Sequence, residues 1–510
     1  MQKSVTIDEK DRREAFFTMK HLQAPLFQAL VRHYETSPVS FHVPGHRYGQ
    51  VYENEHDIES QWLATIMKLD TTELSSTDDL HHPEGAIAEA QKLAAECFGA
   101  EETFFLVGGS TSGNLAMILG VCEPGDLIIV QRNVHKSVIN GLRLAGAKSV
   151  FVMPRMDEET GLATTPSYED IRQALEQYPE AKAVMLTNPN YYGMSTNLRS
   201  YVELVHSYDK LLLIDEAHGA HFGFHPSFPE SAIQAGADAV VQSTHKTLSA
   251  LTMGAMLHIQ GSRIPREAIR KALSAIQSSS PSFPIMASLD VARVMVDRYR
   301  STWFDKGCDS AQAFRSWIDR EGRALRVLHT EKNSTAYDIL DPLRIVLWDE
   351  TRTYSGFELQ RMLEEQGCWV EMADLRHVVL VWGGQTGDED RLKLQAVCTL
   401  IEQMIKANPA KSGERKVSTV FYPGNGNPIG LKPVEWSRKS RQYHRTPLSE
   451  AEGFEAAEMV IPYPPGIPIV YPGEMLTAQL IRYISALAET GAKFQGAIDS
   501  TMQTIAVYPR

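Results

Sequence analysis

Gln242-Ser243-Thr244-His245-Lys246-Thr247 closes an apolar run, Ala237 to Val241, and its reading decides the fold. The run has the length and composition of a short buried strand. A lysine just past its end, among Ser, Thr and His, suits a nucleophilic amine kept partly neutral by desolvation, with hydroxyls nearby to hold an anion. Upstream, Leu211-Leu212-Leu213-Ile214-Asp215-Glu216-Ala217-His218 is a second buried strand that ends on a carboxylate. Pyridoxal phosphate needs two such anchors: a lysine for its aldehyde, and a carboxylate that keeps the pyridine nitrogen protonated so that the ring takes up electrons. A lone strand-end Asp or Lys is more often structural. In this order, below an anion loop, the pair points to the cofactor.

That loop is Val107-Gly108-Gly109-Ser110-Thr111-Ser112-Gly113-Asn114. Glycines let backbone approach an oxyanion, hydroxyls donate to it, and the following helix adds free N–H groups and its positive end. Neither GKS/T nor GxGxxG is present, which disfavours ATP and NAD. From Thr103 to Ile259 strands and helices alternate. The strands are expected at Thr103–Val107, Leu127–Val130, Ser149–Val152, Ala183–Thr187, Leu211–Ile214, Ala239–Gln242 and Ala255–Ile259, with helices such as Thr111–Val121, Ser167–Gln177 and Leu198–Tyr208 between them. This rhythm predicts an α/β fold with a largely parallel sheet and ligands at the carboxyl ends of its strands. His135, at one such end, is placed to stack on a planar ring, and the turn Thr187–Gly193 faces the same crevice.

The chain has 510 residues, more than one core accommodates. A net charge of −13 argues against a general nucleic-acid binder. Five scattered cysteines without a CxxC pair fit reduced thiols of a cytoplasmic protein, and the charged N-terminus shows no signal peptide. Adjacent His81 and His82 point apart and lack a partner at ligand spacing, so no metal site is expected. Amphipathic helices are expected between Asp8 and Glu35, through Phe16 and Phe17. A helical hinge through Trp317 leads to a second α/β unit with strands Leu343–Trp348 and Val378–Trp382. Residues 407–447, Pro/Gly-rich and basic from Lys411 to Arg445, read as a linker, and Ile461–Pro468 as a rigid extended stretch.

The motifs FHVPGH, DDLHHPEGAIAEAQ, GGSTSGN, RNVHKS, IDEAHGAH, QSTHKT, QSSSPSFPIMASLD and IPYPPGIPIVYPGE span residues 41 to 474. In this order they resemble the Orn/Lys/Arg decarboxylase family of fold-type I pyridoxal-phosphate enzymes, in particular its short members without an N-terminal wing, which argues against decamers. The resemblance implies an aspartate aminotransferase-like large domain at 76–300 after an N-terminal arm at 1–75, a small α/β domain at 301–410 and a C-terminal α+β domain at 411–510. It implies Lys246 as the cofactor-bearing lysine, Asp215 as the pyridine partner, His135 as the stacking ring and His245 beside the lysine. Ser110, Thr111, Ser112 and Ser243 would hold the phosphate, His218 would approach the phenolic oxygen, and Ser278 and Ser279, with Ser280, would reach the cofactor across a homodimer interface. Glu474 would read the distal charge of a basic amino acid, with arginine favoured over lysine or ornithine, and CO2 and an amine as products. An aminotransferase or lyase on the same Lys–Asp pair, and a non-catalytic regulator, are the competing readings.

Overall fold

The computed structural model describes residues 21–320, 323–329, 334–408, 429, 432–436, 441–463 and 466–509. Expectations for Phe16, Phe17, Lys411, Arg415 and Pro464 lie outside them. In the first half, eight short strands form: β1 (Glu102–Leu106), β2 (Leu127–Gln131), β3 (Lys148–Val152), β4 (Ala183–Thr187), β5 (Met194–Ser195), β6 (Leu211–Asp215), β7 (Ala239–Gln242) and β8 (Ala255–Ile259). All but β5 join one sheet in the order β1-β8-β7-β6-β4-β2-β3. Strands β3, β2, β4, β6 and β7 are parallel neighbours, while β8 runs against both β7 and β1.

Alternate residues of each strand feed two cores, because a strand buried on both faces needs apolar side chains throughout. Ile128, Val130, Leu213 and Val241 pack under helices Gly109–Val121, Lys136–Ala145 and Arg266–Ile276. Ile129, Val184, Leu212, Ile214 and Val240 pack under Tyr168–Gln177 and Arg199–Ser207. Helix Gly109–Val121 lies directly on the sheet: a Cβ on Gly113 would meet Val241 Cγ2 at 2.3 Å. Only glycine allows that approach, which brings the first turn of the helix beside the β7 end and Lys246.

Helices Phe283–Tyr299 and Thr302–Ile318 lead out of this layer, the second running unbroken through Trp317 where a hinge was expected. Strands β9 (Leu325–Val327), β10 (Ile339–Leu340), β11 (Arg344–Asp349), β12 (Met372–Ala373) and β13 (His377–Val381) follow. Of these, β12-β13-β11-β9 form an antiparallel sheet under Gly356–Glu365 and Asp388–Ala407. Strand β10 pairs with β5 in a separate two-stranded sheet that links the segment after β4 to the one before β11.

The stretch read as a linker contributes to the main sheet. Strand β14 (Val434–Glu435) pairs antiparallel with β3, and the buried Trp436 donates from Nε1 to Ser149 Oγ at 2.9 Å. Its two-residue length and local basicity hid an edge strand. Beyond it, β15 (His444–Pro447) pairs with β18 (Thr504–Val507), and β16 (Ile461–Tyr463) with β17 (Lys493–Gln495), around helix Ala478–Glu489. Among the described residues no helix is long and apolar enough to cross a membrane.

Candidate active site

The carboxyl ends of β1, β2, β4, β6 and β7 open into one cavity of about 460 Å³. Parallel strands put their connecting loops on the same edge of the sheet. Ser110 and Thr111 sit in the first turn of Gly109–Val121, and Ser243 Oγ donates to Ser110 Oγ at 2.8 Å. Glycines at 108 and 109, two hydroxyls and a helix N-terminus thus face the cavity together. Ser112 does not join them. Its buried hydroxyl donates to Gly109 O at 2.8 Å, because helical geometry turns it back onto its own first turn.

Asp215 ends β6, almost fully buried. Asn114 Nδ2 donates to its Oδ2 at 2.8 Å and Ala217 N to its Oδ1 at 3.1 Å. Burial raises its pKa, against the Asn114 hydrogen bond and the charge of Lys246. A carboxylate in this position is stabilised by a protonated heteroaromatic nitrogen.

Lys246 lies in a single helical turn, Thr244–Thr247, directly after β7. Burial lowers its pKa, opposed by Asp215 and Glu371. Its Nζ stands 3.0 Å from His218 Nε2 and 5.4 Å from the Tyr191 ring centroid. His245 is anchored through Nδ1 to the Gly254 carbonyl at 2.9 Å, so Nδ1 carries the proton and Nε2 is the open nitrogen of the neutral ring. His135 caps the helix Lys136–Ala145, its Nδ1 2.7 Å from Ser137 Oγ. Burial, then the charges of Lys246 and Lys136, push its pKa down to about 3, which leaves a neutral ring suited to stacking. Thr187 Oγ1, on the cavity wall, is buried without a hydrogen-bond partner.

Two further expected groups lie outside the described lining of this chain's cavity. Glu474 is absent from the described cavity lining. Its carboxylate holds the fully buried Arg132 by two contacts (Nη2 to Oε2 2.7 Å, Nε to Oε1 3.0 Å) and accepts from Tyr471 N at 2.7 Å. Arg132 is 342 residues away in sequence, so the Pro-Gly turn gave no sign of it. Ser278, Ser279 and Ser280 are exposed, and Ser278 O accepts from His81 Nε2 at 2.8 Å. They lie outside the described lining of this cavity.

The structure adds four residues to the site. Asn114 belonged to the quoted loop but had no role, and Tyr191 belonged to a turn already placed at the crevice. Arg344 heads the apolar strand β11, where a charge demands a buried partner. Glu371 lies in a short loop before β12 and lines the cavity with an exposed side chain.

A sheet of this order, with lysine, aspartate and helix N-terminus converging at its carboxyl edge, defines the fold-type I class of pyridoxal-phosphate-dependent enzymes. Comparison narrows the class. Residues 24–387 match the Orn/Lys/Arg decarboxylase major domain and residues 435–503 its C-terminal domain, so the chain belongs to the Orn/Lys/Arg decarboxylase family of amino-acid decarboxylases. It is 40% identical to the uncharacterized protein YaaO of Bacillus subtilis over 96% of this chain and 99% of the relative. It is 34% identical to an arginine decarboxylase of the same organism, over 96% and 98%. Among solved structures, lysine decarboxylase A from Pseudomonas aeruginosa shares the fold with TM-score 0.79 at 22% identity, covering 98% of this chain and 82% of the other.

Proposed function

We propose that this chain decarboxylates arginine, with lysine and ornithine as weaker substrates, using pyridoxal phosphate held in the strand-end cavity. The observation that carries the reading is the pairing of a buried Asp215 with a desolvated Lys246 on adjacent strand ends, below the helix N-terminus at Ser110 and Thr111. These residues fit the cofactor: its phosphate at Ser110, Thr111 and Ser243, its pyridine nitrogen at Asp215, its ring against His135, its aldehyde at Lys246 Nζ and its phenolic oxygen toward His218. When bound, pyridoxal phosphate supplies an electron sink for the pair left by departing CO2.

The chain supplies orientation, charge and proton control. Burial keeps the Lys246 amine ready to shed its proton, as a nucleophile must. Asp215 stabilises positive charge at the inner end of the cavity, and Asn114 fixes its carboxylate. Lys246 Nζ is the nitrogen placed to hand a proton to the substrate carbon, and the open His245 Nε2 beside it can accept one. Leu162, Tyr463, Ile467 and Ile469 give the cavity apolar walls that exclude water.

Its described lining contains no arginine. The arginine nearest the site, Arg344, is buried behind His218 and engages its Nδ1 at 3.2 Å, so the described lining itself presents no guanidinium to clamp the α-carboxylate in plane as an aminotransferase requires. Three described carboxylates line the cavity: Asp215, Glu371 and Asp374. Asp374 is committed to His377 Nδ1 at 3.0 Å and Tyr192 Oη at 2.7 Å. Glu371 is the carboxylate suited to the distal cation of the substrate, in the role expected of Glu474. The 34% identical relatives named arginine decarboxylase support arginine as that substrate. Side-by-side assays for agmatine, cadaverine and putrescine, with CO2 measured, test the reading; keto-acid formation without CO2 would overturn it. Glu371→Gln should raise KM for arginine at least tenfold, a loss of about 1.4 kcal/mol or more in binding.

The assembly we propose is a homodimer. Phe41, Ile58 and Trp62 are 94, 65 and 71% exposed on one N-terminal segment, an apolar surface that a second copy would cover.

A further inference from the structure

We infer that Arg344 is a positioning residue that fixes the tautomer of His218 and thereby holds Lys246 as a neutral amine. Three side chains form a line: Arg344 Nη2 stands 3.2 Å from His218 Nδ1, and His218 Nε2 stands 3.0 Å from Lys246 Nζ. A guanidinium donates and never accepts, so Nδ1 takes its hydrogen bond through a lone pair and carries no proton. A neutral imidazole then bears its proton on Nε2, which must donate. Its acceptor is Lys246 Nζ, and only an unprotonated amine offers a lone pair. The opposite arrangement, an ammonium donating to Nε2, would put the proton on Nδ1 and face N–H against the guanidinium N–H.

Neither end of the line moves easily. Arg344 is 1% exposed at the head of β11. Its side chain lies beneath the turn that joins β4 to β5, where a Cβ on Gly193 would come within 2.6 Å of Arg344 Cβ. That turn is tied to the β10 end by Asp341 N donating to Gly193 O at 2.8 Å. Asp341, the nearest opposite charge in sequence, is paired with His221 Nε2 at 3.1 Å. The imidazole itself is 3% exposed and lies 4.2 Å from the Tyr191 ring centroid to centroid. A doubly protonated His218 would bury a second positive charge against Arg344, and its pKa is accordingly lowered well below the ordinary value, first by burial and then by neighbouring cations, Arg344 among them.

The consequence extends the reading proposed above. With Nε2–H fixed, His218 presents a donor where the cofactor's phenolic oxygen is placed, and the free lysine returns as a base rather than an ammonium. The test uses the cofactor-free protein, so it separates this inference from the substrate assignment. Long-range 1H–15N correlation on protein labelled with 15N-histidine, with His218 assigned by its loss in His218→Gln, reports which ring nitrogen is protonated. Wild type should show a pyrrole-like Nε2 and a pyridine-like Nδ1. Arg344→Met should convert the ring to the Nδ1–H form or a mixture, and Arg344→Lys, which keeps a donor, should restore Nε2–H. In parallel, the pH midpoint for amine-reagent labelling of Lys246, read by peptide mass spectrometry, should rise by about one pH unit or more in Arg344→Met. A protonated Nδ1 in wild type overturns the inference even if Arg344→Met fails to fold. An unchanged tautomer and midpoint in a folded Arg344→Met does so as well.

Discussion

Glu474→Gln separates a substrate carboxylate from a structural one. Glu474 neutralises an arginine with no exposed surface, which also donates to the carbonyls of Pro468 and Ile469 and stacks 3.8 Å from the Tyr471 ring centroid. Glutamine keeps one acceptor but turns an NH2 toward the guanidinium and removes its counter-charge. Breaking a buried ion pair from one side costs about 3–5 kcal/mol. Glu474 is itself 21% accessible to water, which softens the loss to roughly 2–3 kcal/mol. That corresponds to a 30- to 150-fold rise in local opening, roughly, at 1.36 kcal/mol per tenfold. Hydrogen exchange of backbone amides at 466–476, followed by mass spectrometry of the cofactor-loaded protein, should show this acceleration. KM for arginine, measured on the folded fraction, should stay within twofold. A large rise in KM with unchanged exchange would refute the reasoning and return Glu474 to the substrate.

Borohydride reduction of the cofactor-loaded protein followed by peptide mapping should place the pyridoxyl label on Lys246, and a label on another lysine would sink the site as built here. Mixing Lys246→Ala with a Ser278–Ser280 triple alanine should restore part of the activity through hybrid dimers, whereas a fully active monomer in sedimentation would exclude shared sites. Glu216 is buried, bonded to Gln242 and Ala232 N, and its pKa is pushed up to about 8 by desolvation. Between an unfolded value of about 4.3 and that folded value, the folded state binds more protons, so this group's contribution to stability falls as pH rises. Melting curves from pH 5 to 8 should therefore show a decline that Glu216→Gln flattens; identical slopes in both proteins would rule the assignment out.

The main sheet was legible because its strands are apolar on both faces and bounded by polar turns. Ala183–Thr187, Ala239–Gln242 and Ala255–Ile259 form with the bounds their residues suggest. Lys246, Asp215 and the glycine loop were readable for the same reason: each marks the end of such a strand. What could not be read depends on partners distant in sequence. Glu474 looked free because Arg132 is brought to it by folding alone. Ser112 looked like its neighbours at 110 and 111 until the helix began at Gly109 and rotated it inward. Arg344 and Glu371 come from strand and loop positions with no motif, and only the packing of the second sheet against the first brings them to Lys246.

The segment after β16 closes over His135. Lys136 N donates to Gly466 O at 3.1 Å, and a Cβ on Gly466 would stand 3.1 Å from His135 Nε2. Tyr463, Ile467, Ile469, Tyr483 and Leu487 complete that wall. A ribosome making this chain therefore delivers the lysine and its aspartate more than 200 residues before the wall that covers them. Until the last stretch emerges, the growing chain has the means to capture an aldehyde cofactor but not to shield it. Commitment to chemistry comes at the end of synthesis, and a product cut short before Tyr463 would display the anchors in an open trough.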